Sequence, residues 1–421
     1  MKPVEEHLAQ CLAAVDVLPP APVPLLEALD RVLAEDVVSP LDLPGFDNSA
    51  MDGFAVRVAD VAVAAADRPV VLPVKGDLAA GALEGARLEP GTALRIMTGA
   101  PVPAGSDAVV PVEWTGAADD RAGGGFGAGA PADGVEVRRA PRPDQFVRHA
   151  GEDVRRGEVV LTVGTRITPR HVALLAAVGR AQVLVRPRPR VAVLSSGSEL
   201  VPPGRPLAFG QVHDSNGYGL TAAVLDLGAA AHHVGVVPDE RQAVLAAIED
   251  VLGTADLVVT SGGVSAGAYD VVKEVLSELG TVRFDRVAMQ PGMPQGFGRI
   301  GPDGTPIFTL PGNPVSSMVS FEVFVRPVVR KMAAETSLHR PSLVAAATTG
   351  WASPPGKRQF TRAVLERRED GAAVVTPVGG QGSHLVADLA GATCLAVVPE
   401  DVTQVEPGDP VRCMLLERSR R

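Results

Sequence analysis

Between Val183 and about Met332, short apolar runs alternate with amphipathic stretches, and few folds can accommodate that alternation. The runs are Val191–Leu194, Val234–Val237, Leu257–Thr260 and Ile307–Leu310. Each is too short for a helix and lacks the inside–outside alternation of a half-buried strand. Helical patterns separate them, at Leu220–Leu227, Glu240–Leu252, Val271–Leu279 and Pro314–Met332. Continuous Val/Leu/Ile runs divided by amphipathic helices predict a parallel sheet covered on both faces.

In an open sheet of this kind ligands collect beyond the carboxyl ends of the strands. Three turns occupy such ends. Thr260–Gly267 holds Ser261, Gly262, Gly263 and Ser265, where glycines can take positive φ and let successive N–H groups converge on an oxyanion. The following helix adds the positive end of its dipole. The spacing matches neither the phosphate-loop pattern with its lysine nor the dinucleotide G-x-G-x-x-G. Pro311–Ser317 includes Gly312, Asn313 and Ser316. Asn313 before a proline is kept out of the helical region, so it can act as N-cap with Pro314 as first helical residue and Ser316 and Ser317 on an exposed first turn. Ser195–Leu200 offers Ser196, Gly197 and Glu199.

Any one of these could be a tight strand-to-helix connection, but three on one side of one sheet favour a binding pocket. Glu199, Asp239 and Asp270 lie near them, and carboxylates beside a phosphate point to a hard cation such as Mg²⁺. Helix capping is an equal reading for Asp239 and Asp270. His232 and His233 belong to a strand rather than to a metal site.

The flanks have a different texture. Val4, Leu8, Cys11, Leu12 and Val15 mark an opening helix ended by Pro19–Pro20, and Leu25, Leu26, Leu29, Val32 and Leu33 predict a second short one. Strand-like runs follow at Val70–Val74, Ala93–Met97 and Ala108–Val112, with Gly116–Gly134 reading as a flexible surface insertion. A helix returns at Thr168–Val178, stopped by Gly179. The C-terminal part reverts to strands, at Leu343–Thr348, Thr361–Leu365, Ala373–Val378, Cys394–Val398 and Val411–Leu416, and predicts a small barrel or sandwich. The polar clusters Pro44–Ala55, Met97–Ala100 and Arg148–Asp153 are either turns or further site elements.

At 421 residues the chain exceeds one compact core. A formal charge of −10 disfavours nucleic acid or an anionic membrane surface as partner. Cys11, Cys394 and Cys413 are widely spaced, which argues against a disulfide framework or zinc site and fits a reducing compartment. The first sixteen residues have no apolar h-region, and no apolar stretch could span a bilayer. The expected location is the cytoplasm.

Taken together the motifs resemble the MoeA family of molybdopterin molybdenumtransferases, related to the C-terminal part of gephyrin. FDNSAMDGFAVR, RIMTGAPVPAGSDAVVPVE, GED with its upstream arginine, VLSSGSEL, SGGVSAGAYD, PGMP and LPGNPVSSM occur in the family's order across almost the whole chain. The resemblance implies an elongated multidomain homodimer. Residues 1–43 and 142–180 would form a discontinuous domain I, and 44–141 a β-rich domain II. An α/β molybdopterin-binding domain III (181–334) and a C-terminal β-barrel domain IV (338–421) would follow. It also implies Mg²⁺-dependent insertion of molybdate into adenylylated molybdopterin with release of AMP, in a cleft completed by the partner copy. Molybdopterin adenylyltransferase would be a further partner.

By motif position, Asp52, Thr98, Arg148, Asp153, Glu199, Asp239 and Asp270 would be catalytic, Asp239 and Asp270 acting around the metal. Ser196, Gly197, Ser261, Gly262, Gly263, Ser265, Arg286, Pro311, Gly312, Asn313, Ser316, Arg362 and Ser383 would hold the ligand. Family members commonly carry lysines near Arg286, Gln290 and Met293, and an acidic residue at Ser198. Here only Arg286 keeps the charge, with Arg283, Arg299 or a partner arginine as compensation. The competing readings are a non-catalytic pterin-binding or scaffolding relative, and an adenylyltransferase, which would resemble the α/β domain alone.

Overall fold

The computed structural model describes residues 1–81, 85–117, 134–263, 271–278 and 282–416. The chain opens with α1 (Val4–Ala13), which buries Val4, His7 and Cys11 on one face. The second expected helix is only a single 3₁₀ turn, Leu25–Ala28, with Leu26 83% exposed. Asp30 has φ 64°, a left-handed conformation that ends any helical run, and Val32 and Leu33 are instead buried by bridges to Arg166 and Val185.

A four-stranded sheet follows, ordered Val74–Leu78, Ala93–Ile96, Gly53–Val56, Ala108–Pro111. Residues 118–133 of the expected insertion lie outside the described residues. Helix α2 (Pro169–Ala177) begins after Thr168, whose backbone N–H donates to His171 Nδ1 at 3.2 Å, and Gly179 follows it at φ 80°.

The α/β unit contains β1 (Arg190–Ser196), α3 (Ser215–Asp226), β2 (Ala230–Val237), α4 (Arg241–Val251), β3 (Leu257–Ser261), α5 (Val271–Glu278), β4 (Arg283–Arg286), β5 (Pro294–Ile300) and β6 (Thr305–Leu310). The sheet order is β2-β1-β3-β6-β5-β4. The first four strands are parallel; at one edge β5 runs antiparallel to β6, and β4 antiparallel to β5, so only β5 is reversed. The turn between β5 and β6 is too short for a crossover, so that pair has to form a hairpin. Along β1, Val191 and Val193 pack under α3, whereas Ala192 and Leu194 pack under α4 and α5. This is the period-two alternation of a strand buried on both faces.

A long helix follows: α6 (Pro314–Ser320), a π turn over Phe321–Val325, and α7 (Arg326–Met332). The wide turn precedes Pro327, whose ring would strike the carbonyl of Val323 in a regular helix. Glu322 inside this turn and Arg326 just after it have side chains that are both 5% exposed and pair with one another. Arg340 donates to the same carboxylate at 2.9 and 3.0 Å. Burial pushes the Glu322 carboxyl up, but the two guanidiniums hold it below its ordinary range.

The C-terminal strands β7 (Ser342–Ala347), β8 (Arg358–Arg367), β9 (Ala373–Pro377), β10 (Cys394–Val398) and β11 (Pro410–Leu415) close into a five-stranded barrel, because β8 pairs with both β9 and β10. All three cysteines are free and buried. A two-residue strand, Met289–Gln290, pairs in parallel with Arg358–Gln359, so the barrel is hydrogen-bonded onto the α/β unit. No helix among the described residues is long and apolar enough to cross a membrane.

The buried His7 on α1 has an expected consequence. Its ring packs edge-on against Phe324 at 4.8 Å, near Lys2 and 3.6 Å from Asp285. Burial above all, then Lys2, lowers its pKa from 6.5 to about 4. The folded protein therefore prefers neutral His7, and the unfolded chain binds more protons between those two values. Stability should fall as pH drops from 6.5 towards 4. Melting curves across this range should fall less for His7→Leu than for the native chain; parallel curves would exclude His7 as the source.

Candidate functional site

Parallel strands aligned in one direction bring their carboxyl ends to one edge, and there β1, β3 and β6 each end in one of the three expected turns. Together they wall a cleft of about 890 Å³. Ser196, Gly197 and Glu199 come from the first turn, Ser261, Gly262 and Gly263 from the second, and Pro311, Gly312, Asn313 and Ser316 from the third. Asp239 enters from beyond β2. Ser265 and Asp270 lie outside the described residues.

Local geometry explains the glycines. Gly262 has φ 90°, and its N–H donates to Leu310 O at 3.1 Å. A Cβ there would sit 2.5 Å from the Ser196 carbonyl oxygen. Two turns therefore pass at backbone contact, which only glycine permits.

Asp239 does not cap α4, whose N-cap is Glu240. It instead accepts the Ser196 hydroxyl on one oxygen and the Ser198 N–H on the other, at 3.1 Å. Asn313 is the N-cap of α6 by position, with Pro314 first in the helix, but its side chain turns away and donates to Ser383 Oγ at 2.9 Å. Ser316 and Ser317 are buried rather than exposed, because α6 dives under the barrel loop that carries Ser383.

Two contributors were not expected from the sequence. Asp214, 1% exposed, is the N-cap of α3; its Oδ1 accepts from Ser195 Oγ at 2.9 Å and from Gly217 N at 2.8 Å. Asn216, in the first turn of α3, donates through Nδ2 to Ser261 Oγ at 2.8 Å and to Gly312 O at 2.6 Å. One helix start thus ties the turns after β1, β3 and β6 together. Asp214–Ser215–Asn216 is a recognisable capping signal, but Gly217 and Gly219 interrupt the apolar pattern and hide the first turns of α3. His384 and Val386 from the barrel loop complete the wall.

The charge of the cleft is unusual for a phosphate site. Its described lining holds Glu199, Asp214 and Asp239, and no lysine or arginine. Arg299 does not compensate, since it donates to Ala14 O and Gly304 O. Arg286 and Arg283 are exposed on β4; Arg286 reaches Met293 Sδ at 3.7 Å, and neither lines the cleft. Arg362 is buried and braces the barrel loop through the Gly380 and Gly382 carbonyls, which leaves it outside the lining. Positive potential among the described residues therefore comes from amides and helix ends. Carboxylates without basic side chains fit a cation shared with ligand phosphates. They do not form a protein-only cage, and no group of three or more His, Cys, Asp or Glu among the described residues is so arranged.

The remaining expected residues gather on the Gly53–Val56 sheet and its neighbours. Asp52 Oδ1 accepts from Thr98 N at 2.6 Å and Thr98 Oγ1 at 2.8 Å, which holds the Asp52 carboxyl below its usual range. Arg148 pairs in strand register with Asn48, and Asp153 N–H donates to Leu43 O at 2.9 Å. None of these four residues lines the cleft.

Three family models match the chain: MoeA N-terminal region (domain I and II) over residues 2–179, probable molybdopterin binding domain over 192–331, and MoeA C-terminal region (domain IV) over 344–416. Molybdopterin molybdenumtransferase 2 of Mycobacterium tuberculosis H37Rv is 46% identical, covering 97% of this chain and 98% of that protein. Molybdopterin molybdenumtransferase of Haemophilus influenzae is 36% identical, over 92% and 91%. The crystal structure of the molybdopterin biosynthesis moea protein from Pyrococcus horikosii superposes with a TM-score of 0.80 at 32% identity, covering 99% of each chain.

Proposed function

The chain belongs to the MoeA family, and from that premise we propose that it is a molybdopterin molybdenumtransferase, inserting molybdate into adenylylated molybdopterin with release of AMP. The observation that carries this reading is the cleft, where three turns, Asn216 from the start of α3 and a barrel loop converge on a volume suited to a nucleotide-sized ligand. Relatives matched over nearly their whole length also argue against an adenylyltransferase, which would call for the α/β unit alone.

In this reading the Gly263 amide and the N-terminal end of α6 at Ser316 face the adenylate phosphate, and the Ser261 and Ser316 hydroxyls orient it. Glu199 and Asp239, with Asp270, would hold Mg²⁺ together with ligand oxygens. The metal would supply a Lewis acid that offsets charge on the phosphate as the adenylate bond breaks. Asp52, Thr98, Arg148 and Asp153 stand away from the cleft of their own chain, which supports a homodimer in which they serve the partner's site. Division of the chain at 1–43 plus 142–180, 44–141, 181–334 and 338–421 accompanies this reading. So do cytoplasmic location and supply of the adenylylated substrate by molybdopterin adenylyltransferase.

The test is AMP release from adenylylated molybdopterin with molybdate and Mg²⁺. The native chain should turn over, and Asp239→Asn should lower kcat/KM about 10²-fold while its melting temperature barely moves. Tight ligand binding without AMP release would instead assign the chain to non-catalytic pterin-binding or scaffolding relatives.

A further inference from the structure

A second, smaller cavity of about 230 Å³ lies away from the cleft, where residues 30–32, the linker 186–189, the end of α3 and the end of α7 meet. Five guanidiniums line it, those of Arg31, Arg166, Arg186, Arg188 and Arg330, against the two carboxylates of Asp30 and Glu335. This concentration occurs in a chain whose net charge is −10.

Three of the arginines are already engaged. Arg166 pairs with Asp30 and Glu335, at 3.6 and 2.8 Å. Arg330 pairs with Glu335 at 3.3 Å, and Arg186 donates to Leu18 O at 3.0 Å. Arg31 and Arg188 make no side-chain hydrogen bond or ion pair among the described residues, and Arg31 Nε is buried with no acceptor. Burial and the neighbouring Arg188 make Arg31 less basic than usual, and Glu27 offsets this only in part. The negative ends of α3 and α7 contribute about half a charge each, which leaves about two positive charges among the lining residues, with Glu27 outside the lining offsetting part of this. A half-buried Arg31 with one buried, unpartnered Nε, beside the exposed fork of Arg188, makes a poor stability device and a good oxyanion receptor.

We propose that this cavity is a binding site for a divalent tetrahedral oxyanion, held bidentately by Arg31 and Arg188 and clamping the N-terminal segment and linker onto the α/β unit. The site is independent of the chemistry in the cleft. Inorganic phosphate and sulfate are the probes, with chloride at matched ionic strength as the control.

Calorimetric titration of the intact protein with phosphate should reveal a site that chloride does not fill. Arg31→Gln/Arg188→Gln should lose it, and Arg31→Lys/Arg188→Lys, which keeps the charge without the fork, should weaken it about tenfold or more. Saturating phosphate should raise the native melting temperature by about 2 °C or more and leave the glutamine variant unmoved. AMP release should be unchanged in both variants. Equal phosphate binding in the native chain and the glutamine variant, or equal stabilisation by chloride, would overturn the proposal. If the glutamine variant fails to fold, the lysine variant decides: unchanged affinity rejects the site and reduced affinity supports it.

Discussion

Gly262→Ala is expected to lower kcat/KM for AMP release by about 10²-fold or more while leaving the chain folded. Two penalties act at one atom. The residue sits at φ 90°, a conformation L side chains rarely adopt. Its new Cβ would also lie 2.5 Å from the Ser196 carbonyl oxygen, a backbone atom that no rotamer change can move. The turns after β1 and β3 must then separate, and with them go the Ser196 hydroxyl bonded to Asp239 and the Ser261 hydroxyl bonded to Asn216. The sheet interior is untouched, so activity should fall much further than melting temperature. Activity within about twofold of native would show that the spacing of these turns does not matter for the reaction.

The second large effect concerns stability. Glu322→Leu should destabilise the chain by about 3–5 kcal/mol, because it strands the Arg326 and Arg340 guanidiniums with only Asp226, at 3.4 and 3.3 Å, to share. Replacing all three residues by apolar side chains of similar volume should cost less than the single change, since the triple variant buries no unpaired charge. Denaturant titration of the native chain, the single variant and the triple variant would decide. A single-variant loss below about 1 kcal/mol would mean that water reaches the guanidiniums and that the network is solvated.

Much of the α/β unit was legible because strands buried on both faces must be written as unbroken apolar runs, and Val191–Leu194 and Leu257–Thr260 are such runs. The three turns could be read because glycine and Asn–Pro impose backbone geometry locally. What escaped depends on distant contacts. The run from Leu25 to Leu33 has helical periodicity, yet Asp30 breaks it and pairing with Arg166 and Val185 takes over. Ser316 and Ser317 look like an exposed first turn until the barrel loop covers them. Asp214 and Asn216 are polar residues in a glycine-interrupted stretch, and only the fold shows that one asparagine reaches two other strand ends. Arg299 looked available to balance charge in the cleft, but it is spent on the carbonyl end of α1.

The pairing of Met289–Gln290 with Arg358–Gln359 has a consequence for how such a cleft can change over time. Main-chain hydrogen bonds fix the barrel to the sheet, and Val315 N–H donating to Ser383 O at 3.0 Å anchors its loop beside the cleft. The segment that presents His384 and Val386 is therefore held against the cleft from the barrel, and its Leu389 packs on the core that barrel and sheet share. Insertions or deletions between β9 and β10 can resize the cleft without disturbing the strand ends that grip the ligand. The tip around His384 can thus vary in size and chemistry, while Leu389 on the same segment has to stay apolar to keep barrel and sheet together.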